Sequence, residues 1–145
     1  MALVRGCEFP EDRQYHVDYN VWVKPHGRDV VTLGATSYGV ALAIEFFAFM
    51  PKPVGTLVEA GRAAALLELS KSMVSVRSPV PGKIVEVNLI AVSRPSLIVE
   101  DPYGAGWLVR IAGAAPASGM VDGEAAPRAF EAAMALENFQ GLPSA

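Results

Sequence analysis

Ala63-Ala64-Ala65-Leu66-Leu67-Glu68-Leu69-Ser70-Lys71-Ser72-Met73-Val74-Ser75-Val76-Arg77 is the stretch whose reading decides the fold. Its first seven residues form a short run, apolar apart from Glu68 and bounded by Gly61, as a buried strand would be. Ser70-Lys71-Ser72 is a polar break. Val74-Ser75-Val76-Arg77 then alternates with period two, the pattern of a half-buried strand. The reading is strand, tight tip, strand, with Lys71 at the tip. A lysine placed there holds its amine away from the body of the domain and open to a modifying enzyme.

The hairpin continues outward in both directions. Pro79-Val80-Pro81-Gly82 is turn chemistry, because proline fixes φ and glycine accepts positive φ. Lys83-Ile84-Val85-Glu86-Val87 alternates again. Upstream, Pro51-Lys52-Pro53-Val54-Gly55 is a break, and Leu57-Val58 leads into the hairpin. Gly55 stands sixteen residues before Lys71 and Gly82 eleven after it.

Composition bounds the function. A chain of 145 residues is one domain by length and is long enough to bury a core. With 52% apolar and 19% charged residues it reads as folded rather than disordered. A net charge of −3 and the absence of a basic stripe argue against nucleic-acid binding. The single cysteine, Cys7, excludes an internal disulfide and a cysteine zinc cluster, which suits a reducing cytoplasm. Cys7 itself reads as a spectator thiol. No leader pattern is seen at the N-terminus. The most apolar window, Val40 to Met50, is too short to span a bilayer and contains Glu45, so no membrane partner is expected.

Along the chain, Val21 to Lys24 and Asp29 to Gly34 read as a hairpin, with His26 in its solvated loop. Thr36 to Ala43 reads as a short helix opened by the capping residues Thr36 and Ser37. Glu45 to Met50 reads as a phenylalanine-rich core strand. Leu97-Ile98-Val99 is a short apolar run, Asp101 to Gly106 a loop, and Trp107 to Ile111 the last clear strand. Ala112 to Gly119 is a small-residue linker. Glu124 to Asn138 is helical, with Phe130, Met134 and Glu137 on one face and Pro127 in the first turn. Short strands with a turn about every ten residues predict a small β-sandwich.

No catalytic constellation is visible. His16 and His26 have no metal-ligand spacing with each other or with Cys7, and no serine sits in a nucleophile elbow. The chain does not read as an enzyme.

Lys71 in its glycine spacing, with Glu68-x-x-Lys71 and Ser78-Pro79-Val80-x-Gly82, resembles the lipoyl and biotinyl carrier domains. The particular similarity is to the glycine cleavage H proteins. Ser78, Pro79, Gly82 and Asn88 fall in that family's register, and Glu100-Asp101-Pro102-Tyr103-Gly104-x-Gly106-Trp107-Leu108 is similar to its second block. Serines rather than methionines flank Lys71, which disfavours a biotin carrier.

The resemblance covers Tyr15 to Ile111. It divides the chain into a lead-in (1–14), a carrier domain (15–111), and a linker with a C-terminal helix packed on the same domain (112–145). It implies a mainly β barrel-sandwich hybrid of two small antiparallel sheets with short peripheral helices. It also implies lipoic acid in amide linkage to Lys71, attached by a lipoate ligase or by lipoyl transferase and synthase. The cofactor would carry the chemistry while the protein orients it. Glu68, Ser70 and Ser72 would help such an enzyme recognise the hairpin; for Glu68 a plain solvated carboxylate is an equal reading. Asp101, Tyr103 and Trp107 either line a groove for the loaded arm or lock their own loop, and loop-locking is preferred.

The chain departs from the family where the first strand usually reads His-Glu-Trp and here reads Asn20-Val21-Trp22. The missing acid is one associated with the aminomethyl-loaded arm. Two sets of partners therefore stay open. One is glycine decarboxylase, aminomethyltransferase and dihydrolipoamide dehydrogenase. The other, slightly favoured, is a heterodisulfide-reductase-like sulfur-oxidising complex. An unlipoylated interaction module that keeps the carrier fold is the alternative from another class.

Overall fold

The computed structural model describes residues 3–43, 47–113 and 119–141. Two short strands, β1 (Leu3–Val4) and β2 (Cys7–Glu8), pair across Arg5 and Gly6, both at positive φ. Next come β3 (Gln14–His16), β4 (Val21–Pro25), β5 (Val30–Ala35) and helix α1 (Ser37–Ala43). Strands β6 (Ala48–Pro51) and β7 (Leu57–Val58) precede the hairpin β8 (Ala63–Glu68) and β9 (Met73–Arg77). Strand β10 (Gly82–Val87) leads to two short helices, α2 (Leu89–Ser93) and α3 (Ser96–Glu100). Strands β11 (Val109–Ala112) and β12 (Met120–Asp122) and helix α4 (Ala126–Leu136) complete the fold.

The strands form a seven-stranded sheet in the order β12-β3-β4-β5-β11-β10-β7 and a three-stranded sheet, β6-β8-β9, every pairing antiparallel. Leu33, Ile84 and Ile111 of the larger sheet share one core with Phe49, Leu67 and Val76 of the smaller. This is the two-sheet architecture expected from the alternating runs.

A second apolar cluster forms where α4 meets the N-terminal residues. Phe130 stacks on Phe9 at 4.4 Å and meets Tyr15 edge-on at 5.9 Å, and Cys7, Tyr38 and Met134 fill the space around them. Phe130 and Met134 are fully buried, each worth about 1.5–3 kcal/mol by transfer. Glu137, expected on the same face, is exposed instead and caps the helix end through its backbone.

Several boundaries differ from the sequence reading. The strand expected over Glu45 to Met50 begins at Ala48 and includes Pro51, and residues 44–46 lie outside the described set. Of its described phenylalanines, Phe49 is core at 2% exposure, whereas Phe47 is 64% exposed. The run Leu97-Ile98-Val99 is helical, because its amides bond back to Arg94 and Pro95 and bury Leu97 and Ile98. Trp107 and Leu108 precede the strand assigned to them, and β11 is followed by a further strand, β12. Most of the expected linker, residues 114–118, lies outside the described set.

Candidate carrier site at the β8–β9 hairpin

The strands β8 and β9 run in register from Ala65–Val76 to Glu68–Met73. One further rung closes the hairpin, the Leu69 amide donating to the Ser72 carbonyl at 2.8 Å. Only Ser70 and Lys71 remain in the bend. Neither has a positive φ, so the bend is not one of the mirror-image turns that two-residue hairpins favour. Lys71 is exposed, and its side chain makes no hydrogen bond or ion pair among the described residues. Ser70, Ser72 and Glu68 are exposed as well. The backbone carbonyl of Glu68 accepts from the Phe47 amide at 2.8 Å, which ties the start of β6 to the hairpin just below the bend.

The base of the hairpin is locked. Ser78 is buried, and its hydroxyl donates to the Val80 carbonyl at 2.6 Å and accepts from the Val80 amide at 3.2 Å. Gly82 lies so close to β11 that a Cβ there would stand 2.5 Å from both the Ala112 carbonyl oxygen and Ile111 Cγ2. Gly55 turns with φ +97° and donates its amide to Ile84 at 2.7 Å. The two glycines noted on either side of Lys71 thus fix the strands that flank the hairpin's base.

Asn88 is 3% exposed and fully used. Its Nδ2 donates to the carbonyls of Ala105 and Trp107 at 2.8 and 2.7 Å, and its Oδ1 accepts from the Ala91 amide to cap α2. Asp101 closes its own loop, accepting from the Ala105 amide at 2.9 Å. The Tyr103 hydroxyl donates to the Glu8 carbonyl and accepts from the Ser37 amide. Arg13, 8% exposed, lies over Trp22 and Tyr103 and donates to the Tyr103 carbonyl, while Trp22 Nε1 donates to Pro102. The Asp101–Gly106 segment is therefore a clamp on the N-terminal residues, as the loop-locking reading expects. Trp107 is half-buried, with the Arg110 guanidinium 4.0 Å from its ring centroid.

Sequence reasoning missed a groove of about 190 Å³ between the hairpin and α1. Val21, Ala35, Leu42, Leu67, Val74 and Val76 line it, together with Tyr19 and Asn20, and among the described residues no carboxylate does. Val74 is three residues past Lys71, about 10 Å along the strand. Val21 stands in the groove at the position where the sequence lacks the family's acid.

Cys7 is fully buried, and desolvation pushes its thiol up from its ordinary range, so it is suited to packing rather than reaction. His16 is pushed down by burial and accepts from the Tyr19 amide at Nδ1, and His26 is exposed. Among the described residues no group of histidine, cysteine and carboxylate side chains is arranged to hold a metal, and no helix is long and apolar enough to cross a membrane.

Residues 13–127 match the model of the glycine cleavage H-protein family. The chain belongs to that family. It is 40% identical to glycine cleavage system H protein 5 of Aquifex aeolicus over 119 residues, 80% of each chain. It is also 40% identical to the glycine cleavage system H protein of Thermus thermophilus over 105 residues, 72% of this chain and 80% of the relative. Among solved structures, a glycine cleavage system H protein from Mycobacterium marinum superposes with a TM-score of 0.71 at 30% identity. The match covers 83% of this chain and 98% of that one. Glycine cleavage H proteins are lipoyl carriers rather than enzymes: lipoate is bound covalently to a lysine. They exchange with the other glycine cleavage proteins and with the lipoylating enzymes.

Proposed function

We propose that Lys71 is the lipoyl-bearing lysine of this H-family carrier and that the cargo on its arm is a sulfur intermediate rather than an aminomethyl group. The observation that carries the first part is the bend itself. An exposed, unpaired amine at the apex of a two-residue turn is accessible to an attaching enzyme, and acylating it breaks no ion pair among the described residues. When bound, lipoate would supply a redox-active dithiolane, and the residues of this chain would hold and present it. The rigid β8–β9 ladder fixes the pivot, so each partner meets the arm at a high effective concentration. Glu68, Ser70 and Ser72, whose side chains have no partner among the described residues, supply a polar collar around the amine.

Support for the second part comes from the groove below the bend. An ammonium-bearing cargo resting there would lose water without gaining a carboxylate among the described residues, which is costly. A lining of Val21, Val74 and Val76 suits an uncharged or soft sulfur group. The relatives' names also carry copy numbers, 5, 3 and 2 in Aquifex aeolicus alone, so one organism holds several H proteins. A heterodisulfide-reductase-like complex in the cytoplasm is the partner this reading favours, in place of glycine decarboxylase and aminomethyltransferase.

The test is to offer the lipoylated chain to glycine decarboxylase with glycine and to follow intact mass. The expected result is little or no aminomethyl adduct. Rapid stoichiometric loading would overturn the sulfur reading while leaving the carrier reading in place. The unlipoylated-module alternative would show itself as a partner that binds Lys71→Ala as tightly as the wild type.

A further inference from the structure

The outward face of the three-stranded sheet is one continuous strip running from Lys71 to the base of the hairpin. Its upper rung pairs Glu68 with Met73, and the rung below aligns Met50, Leu66 and Ser75. Met50 and Met73 are 36% and 51% exposed, an apolar surface of flexible side chains. Such surfaces adapt to more than one partner.

The lower end of the strip is cationic. Lys52, Arg62 and Arg77 line one open hollow of about 540 Å³, with Glu59 as its only carboxylate among the described residues. None of the three is in an ion pair among the described residues. Among the described residues Arg77 has only the Tyr19 ring, 5.7 Å from its guanidinium carbon. The chain as a whole carries a net charge of −3, so this positive cluster is set against its background. Three like charges around one hollow repel one another, and a partner's carboxylates would relieve that repulsion.

We infer that this strip is the docking face for the lipoate-attaching enzyme, and that the enzyme meets the Lys52–Arg62–Arg77 hollow with an acidic surface while its active site reaches the bend. The inference rests on Lys71 being the lipoyl acceptor. The hollow lies about 20 Å from the bend along β8 and β9, so an enzyme of ordinary size spans both. The cations act on encounter and affinity, and the reacting amine is far from them.

The test uses a purified lipoate–protein ligase, with lipoate and ATP, and follows the full chain by intact mass. For the charge reversal Lys52→Glu, Arg62→Glu, Arg77→Glu, KM for the chain is expected to rise at least about tenfold with kcat within about twofold. KM of the wild type is expected to rise with added salt. The charge-preserving set Lys52→Arg, Arg62→Lys, Arg77→Lys is expected to keep the wild-type KM. Arg62 and Arg77 are exposed and Lys52 is half-buried, and thermal melting confirms that the variants are folded. An unchanged KM in the reversed variant, or a wild-type KM indifferent to salt, overturns the docking face alone. A wild-type chain that gains no lipoyl mass overturns the acceptor assignment and the docking face together.

Discussion

The Leu69 amide reaches the Ser72 carbonyl at 2.8 Å, and this one hydrogen bond sets how Lys71 is presented. It places the last rung of the β8–β9 ladder directly beneath the bend. Lys71 therefore extends from a braced two-residue apex rather than from a floppy loop. The carrier reading depends on that relationship, because a swinging arm needs a fixed pivot.

Gly82→Ala is expected to destabilise the fold without touching the bend. The added Cβ would meet the Ala112 carbonyl and the Ile111 side chain at 2.5 Å, and backbone cannot yield cheaply. Overpacking of this kind costs about 1–3 kcal/mol. Urea denaturation measures it, and a stability equal to the wild type would show that β10 and β11 can part there.

Asn88→Ala removes the side chain that joins the start of α2 to the Trp107 segment. It leaves the carbonyls of Ala105 and Trp107 without that donor and the Ala91 amide without its cap. A loss of about 2–4 kcal/mol is expected. Lys71 acylation under folding conditions should persist, since the bend is built from other elements. Lipoylation that fails while the variant is still folded would contradict the separation of clamp and hairpin.

Asp12 gives a pH signature. Hydrogen bonds from Arg13 and then Lys24 hold its carboxyl down to about 2, below its ordinary 3.8. A lowered folded-state pKa adds stability that is present above the ordinary value and is lost as pH falls toward 2. The Asp12 side chain is half exposed, so solvent screening limits the contribution to about 1 kcal/mol. Asp12→Asn should therefore be slightly less stable than wild type at pH 7, and the gap should close between pH 4 and 2. A gap that persists at pH 2 would assign the difference to something other than charge.

The hairpin was legible in the sequence because its first strand is a short apolar run, its second alternates, and its turns carry serine, proline and glycine. Helix α1 was legible for a similar reason: Thr36 Oγ1 accepts from the Gly39 amide at 3.0 Å, the capping bond its residue type advertises. Helices α2 and α3 were not. Leu89-Ile90-Ala91-Val92 and Leu97-Ile98-Val99 are apolar and rich in β-branched residues, and each helix is only five residues long, too short for a 3.6 period to declare itself. The one available signal was Asn88, a capping residue that also serves as a buried bridge. The groove was invisible for a different reason. It joins Val21, Leu42, Leu67 and Val74 from four separate elements, and no local pattern encodes that meeting. The cationic hollow likewise draws Lys52, Arg62 and Arg77 from three separate stretches of the chain.

The most direct measurement is the intact mass of the chain after co-expression with a competent lipoate ligase in lipoate-supplied cells, with the modified residue mapped by peptide fragmentation. The account predicts one added lipoyl group per chain, on Lys71, and no addition to Lys71→Arg, which keeps the charge and the bend. An unmodified wild type, or a lipoyl group that remains on the Lys71→Arg variant, would contradict it.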